Sequence, residues 1–81
     1  MMANHVIKTI YVALAIDPAN GDEGVCGVHT AAGWVPLVAS DKARLEFVRQ
    51  AAEQIAIQTK MLVKIAEFST RIDGQIFDGR F

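Results

Sequence analysis

The stretch from Val6 to Ile16 constrains the fold more than any other, because it is rich in β-branched residues and apolar on both faces of an extended chain. With side chains alternating, Val6, Ile10, Val12, Leu14 and Ile16 share one face with Lys8, while Ile7, Thr9, Tyr11, Ala13 and Ala15 share the other. Such a strand lies inside a sheet and needs cover on both sides. The chain has 81 residues, enough for one core and not for two. A single domain over residues 1–81 is therefore expected.

Ser40 to Lys60 reads as one amphipathic helix. Ser40 or Asp41 can accept hydrogen bonds from the first-turn N–H groups. Leu45, Val48, Ala52, Ile55, Ala56 and Thr59 form one stripe at 100° per residue, with Ala52 and Ala56 small enough to let the helix approach a sheet closely. Lys42, Glu46, Arg49 and Glu53 stand at helical pair spacings on a solvated face. Phe47 falls almost opposite the apolar stripe and Ile57 well away from it, which marks both as candidates for contact with another surface. One helix covers one face of a sheet, so the second face of the first strand is left to something else.

Between these segments, Asp17 to Gly24 carries strong turn chemistry. Asp17, Asp22 and Glu23 do not follow the spacing of a calcium loop, and a solvated hairpin loop is expected. Val25 to Thr30 reads as a second strand, Ala31 to Gly33 as a tight connection, and Trp34 to Ala39 as a third strand. Pro36 cannot donate to a ladder, which places that strand at an edge or at a bulge. Trp34 is a candidate contact residue or a local anchor over the hairpin. Met61 to Ile72 reads as a long last strand, buried on both sides in its first half. The tail, residues 74–81, holds Ile76, Phe77 and Phe81 and is expected to add a short fifth strand or to dock on another subunit. The fold class is α+β, ordered β-β-β-α-β, an antiparallel or mixed sheet with one helix on one face. The expected strand order is third, second, first, last.

Chemistry-bearing constellations are sparse. Cys26 and His29 form a C-x-x-H pair, but residues three apart on a strand point to opposite faces unless Gly27 marks a bulge. A zinc site would need more ligands, and His5 is the one further imidazole. Glu67 on the last strand can oppose Lys8 or Tyr11, either as a small acid–base site or as a cross-strand polar pair. The glycines do not open a helix as a phosphate cradle requires. No metal and no cofactor is expected. The net charge of −1 removes the usual footprint of non-specific nucleic-acid or anionic-membrane binding. Arg71, Arg80 and Lys64, interleaved with Phe68, Phe77 and Phe81, resemble a single-strand platform in kind but are diluted by Glu67, Asp73 and Asp78.

Met1 to Lys8 lacks the basic and apolar regions of a signal peptide, and no apolar run approaches the roughly 20 residues of a membrane span. A lone cysteine cannot form an internal disulfide, so a soluble protein of the reducing cytoplasm is expected. At 52% hydrophobic residues the chain has more apolar material than one small core can hide. These features point to a homodimeric protein–protein interaction or regulatory accessory module without catalysis. Its expected contact surface draws on Tyr11, Trp34, Phe47, Ile57, Ile76, Phe77 and Phe81. The rival is a small-molecule binder or small enzyme with a pocket between sheet and helix and a polar site drawn from His29, Glu67 and Arg71. A nucleic-acid-binding module is the third reading.

Overall fold

The computed structural model describes residues 6–80; His5 and Phe81 lie outside the described residues. Strand β1, Ile10–Ile16, is the centre of the sheet. On one side it pairs antiparallel along its whole length with β6, Leu62–Phe68, in a register running from Ile10↔Phe68 to Ile16↔Leu62. On its other side it takes two short partners end to end. The C-terminal half of β1 pairs with β2, Glu23–Val25, and its N-terminal half with β5, Val38–Ala39. Between β2 and β5 the chain leaves the sheet as a separate hairpin of β3, Gly27–Thr30, and β4, Gly33–Pro36.

The expected second and third strands are thus each broken in two, at Cys26 and Leu37. The cause lies in the backbone hydrogen bonds around Ala13. Its C=O accepts from the Cys26 N–H at 2.8 Å, its N–H donates to the Leu37 C=O at 3.1 Å, and Leu37 N–H donates to the Cys26 C=O at 2.8 Å. These three bonds satisfy the backbone where the hairpin legs change partner from β1 to each other. Both side chains at the junction are buried, Leu37 completely. The expected strand order is corrected accordingly: the third strand is no outer edge beyond the second, because its end, β5, pairs directly with β1. The central first strand and the last strand beside it are as expected.

Helix α1, Lys42–Thr59, crosses from β5 to β6 over one face of the sheet. Asp41 caps it, its Oδ1 accepting from the Arg44 N–H at 2.7 Å, and Lys60 ends it in the left-handed region at φ 58°. The core beneath α1 is built from Ala13, Cys26, Leu37, Ala39, Val48 and Ala52, flanked by half-buried Tyr11, Val63 and Ile65. Small residues on both layers permit the close approach of helix and strands. The Lys42, Glu46, Arg49 and Glu53 spacings close no ion pair; Glu46 instead accepts from Gln50 at 3.5 Å.

Two ends differ from expectation. The first strand begins at Ile10 instead of Val6, and the last ends at Phe68 instead of Ile72, which is one event seen twice, since Ile10 and Phe68 are paired. Residues 69–80 form no strand and are exposed throughout, so the possible fifth strand at 74–81 is absent among the described residues.

Candidate interaction surface

Register assigns every β1 side chain to a face. Tyr11, Ala13 and Ala15 point toward α1 together with their partners Ala39, Glu67, Ile65 and Val63. Ile10, Val12, Leu14 and Ile16 therefore point to the opposite face, joined by Leu62, Lys64, Ala66 and Phe68 of β6, Glu23 and Val25 of β2, and Val38 of β5. No helix crosses this face among the described residues. Val12 and Leu14 are nonetheless buried, at 7% exposure each. Around them Val25, Leu62 and Phe68 stand 60%, 62% and 49% exposed.

One charged pair interrupts this apolar surface. Lys64 Nζ lies 2.6 Å from Glu23 Oε2, joining β6 to β2 across the central strand. Lys64 is paired with Leu14 and Glu23 with Ile16, so the lysine stem runs over β1 and adds to the cover of Leu14. Both side chains are about half exposed, so the pair contributes at most ~1 kcal/mol. Its effect is geometric: it neutralises the one pair of charges on the face.

The tail leaves the sheet at Phe68, on the rim of this surface. Arg71 Nη1 donates to the Ile7 C=O at 3.2 Å and its Nε contacts Asp73 Oδ1 at 2.6 Å, which fixes the root of the tail beside the segment entering β1. Beyond it Ile72, Ile76 and Phe77 are 89%, 84% and 83% exposed. Arg80 pairs with Asp78 at 2.7 Å. Hydrogen bonds from Arg80, side chain first and then backbone, hold the Asp78 carboxyl below its ordinary range, and the same pairing raises Arg80. Every charge of the segment from Arg71 to Arg80 is thereby matched within the tail.

The remaining expected contact residues are dispersed. Tyr11 faces α1 and is half-buried, away from the open surface. Trp34 is 73% exposed on the outside of the β3–β4 hairpin, where it meets its cross-strand partner His29 edge to face at 5.2 Å. Gly27 makes room there, since a Cβ at this position would lie 3.2 Å from the Val35 carbonyl oxygen and 3.6 Å from the indole. Phe47, 45% exposed, lies beneath the Arg44 guanidinium at 4.5 Å, and Ile57 is 62% exposed on the outer side of the helix. Ile76 and Phe77 are in the tail, and Phe81 lies outside the described residues.

The expected polar site is not assembled. His29 belongs to the hairpin, Glu67 stands opposite Tyr11 on β6 with no hydrogen bond between them, and Arg71 is engaged at the tail root. An open cleft of ≈270 Å³ lies among Ile7, Ile10, Phe68 and Ile72, and a second of ≈420 Å³ lies beside Trp34 and Pro36. Neither takes in Tyr11, His29 or Glu67. Cys26 is buried in the core, and burial pushes its thiol above its ordinary value; His29, three residues on, is exposed. In the acidic loop Asp17 Oδ1 accepts from the Ala19 N–H and Asn20 Oδ1 from the Asp22 N–H, each at 2.9 Å, so these groups stabilise the turn itself. Among the described residues no helix is long and apolar enough to cross a membrane.

Val25, Leu62 and Phe68 were not among the expected contact residues. Their signal is period-2 parity: Leu62, Ala66 and Phe68 alternate with Val63 and Ile65 in the sequence, but which face the helix takes is settled only by packing. The fold and the open face together define a small α+β domain with one unsheltered sheet surface. Compared with protein-family models, with curated proteins and with solved structures, the chain matches none.

Proposed function

We propose that this protein is a non-enzymatic interaction module that works as a homodimer, each copy burying the open face of its sheet against the other. The carrying observation is the composition of that face: a buried pair, Val12 and Leu14, surrounded by half- to mostly exposed Val25, Leu62 and Phe68, with its one ion pair already neutralised. A surface of this kind resembles the inside of a protein more than its outside. A two-fold axis through it makes the contact self-complementary, as a closed dimer requires.

As a dimer the module acts by binding a further macromolecule, as an accessory or regulatory factor, with Trp34 and the outer helix face left available. The lone, core-buried thiol suits a reducing cytoplasm.

Sedimentation velocity from micromolar to near-millimolar concentration tests the reading. The wild-type chain is expected to sediment as a dimer. Phe68→Glu and Leu62→Glu, both at exposed positions, are expected to shift it to monomer while leaving the circular dichroism spectrum unchanged. A wild-type chain that stays monomeric throughout refutes it.

A further inference from the structure

The ladder between β1 and β6 stops at the Ile10↔Phe68 pair, although Ile7, Thr9, Thr70 and Ile72 continue the β-branched character of the strands they flank. Where pairing stops, the cleft of ≈270 Å³ lies between the two segments. Its wall is apolar, built from Ile7, Ile10, Phe68 and Ile72. Its polar lining is Lys8, Arg71 and two threonines. An apolar cavity of about 150 Å³ holds a benzene ring, so this cleft accommodates a medium-length chain or a substituted ring.

The charges around the cleft are unequal. Arg71 Nε contacts Asp73 Oδ1 at 2.6 Å and its Nη1 donates to the Ile7 C=O at 3.2 Å, so one carboxylate already answers the guanidinium and the cleft is bridged at that point. Lys8 makes no ion pair among the described residues. Glu67, next to Phe68 in sequence, does not line the cleft. One uncompensated positive charge therefore stands beside an apolar wall. A neutral chain would leave Lys8 unused, and a phosphate dianion would carry one charge more than the site answers. A monoanion with an apolar body meets both, through charge-assisted hydrogen bonds at one end and burial of apolar surface at the other. We propose that this cleft binds a small amphipathic carboxylate, its body against Ile7, Phe68 and Ile72 and its head group on Lys8 and Arg71. The site is distinct from the dimer contact and does not depend on it.

Octanoate is the probe, titrated into the full-length chain enriched in ¹⁵N, with octanol and inorganic phosphate as comparisons. Saturable amide shifts are expected at residues 7–10 and 68–72, with half-saturation at about 0.1–1 mM octanoate. Octanol and phosphate are expected to leave these amides unsaturated at the same concentrations. Lys8→Gln, at an exposed position, is expected to weaken octanoate binding roughly fivefold or more while the remaining amide spectrum is unchanged. Ile72→Asn, at a position 89% exposed, is expected to weaken it about threefold. The absence of a saturable shift up to about 10 mM, shifts centred on Val25 and Leu62 in place of the cleft, or an affinity indifferent to Lys8→Gln overturns the proposal. An equal response to octanol reduces the cleft to an apolar patch and a tighter response to phosphate makes it an inorganic-anion site; either overturns it as well. Sedimentation of the same samples reads the dimer separately, so the two proposals stand or fall apart.

Discussion

Replacing Leu37 by alanine tests whether the junction between the sheet and its hairpin is held by packing or by backbone alone. Leu37 is fully buried, and with Val48 it is one of the two largest side chains completely removed from solvent. Its backbone bonds to Ala13 and Cys26 involve only main-chain atoms, so alanine retains them and the substitution isolates the side chain. Truncating a buried leucine removes its transfer free energy and leaves a void, about 2–5 kcal/mol together. A chain of this length has a total stability of roughly 4–12 kcal/mol, at ~0.05–0.15 kcal/mol per residue. The loss is thus a large share of the whole, and a fall in Tm of roughly 10–30 °C follows for a domain this small. Urea and thermal unfolding followed by circular dichroism measure it, at one fixed protein concentration because the proposed dimer would add to apparent stability. Trp34→Ala is the comparison. That residue belongs to the same excursion from the sheet but is 73% exposed, so its loss stays within about 0.5 kcal/mol. If Leu37→Ala costs less than about 1 kcal/mol, or if the two substitutions cost the same, the junction does not anchor the hairpin.

Asp41→Ala removes the oxygen that accepts the Arg44 N–H and is expected to lower stability by about 0.5–2 kcal/mol, with Asp41→Asn restoring most of it in the same denaturant titration. Cys26 is expected to react with a thiol reagent slowly in the native protein and rapidly once unfolded; equal rates would contradict its burial. Because burial raises the thiol's ionisation above its ordinary 9.0, the group stays neutral in both states below that pH. Above it the unfolded chain loses its proton first, so stability falls as pH rises from there upward, a trend that Cys26→Ala should flatten.

How much was legible in the sequence depended on whether the deciding interaction was local. The helix was legible to within two residues at each end, because its cap at Asp41 and its apolar stripe are properties of neighbouring residues. The central position of β1 was legible from side chains apolar on both faces. The breaks at Cys26 and Leu37 were not, since both residues continue an apolar pattern and what interrupts the strands is a change of hydrogen-bond partner around Ala13. Strand ends were missed for a similar reason: Val6 to Thr9 and Ser69 to Ile72 have strand-like composition but are not paired with each other as strands. The surface residues divided along the same line. Phe47 and Ile57 stood out by helical periodicity and are exposed, whereas Tyr11 turned inward because the face taken by α1 is a tertiary choice.

That choice also bears on the geometry of the proposed dimer. The N–H and C=O of Ala13 point toward β2 and β5, so by antiparallel alternation Val12 and Leu14 bond toward β6, engaging Ala66 and Lys64. The backbone groups of Val63, Ile65 and Glu67 consequently point outward along the open edge of β6, a template for edge-to-edge pairing. The charge on that edge opposes that route: Glu67 projects from it toward the helix side, while Lys64 is turned inward across β1 to Glu23 and brings no cation to offset it. The open face carries no comparable obstacle, because its single lysine and single glutamate neutralise each other while the lysine stem extends the apolar surface. Association through the face leaves the β6 edge in water, where its backbone groups are satisfied. The arrangement therefore favours stacking of sheets over growth of one sheet, and a closed pair over an open-ended assembly.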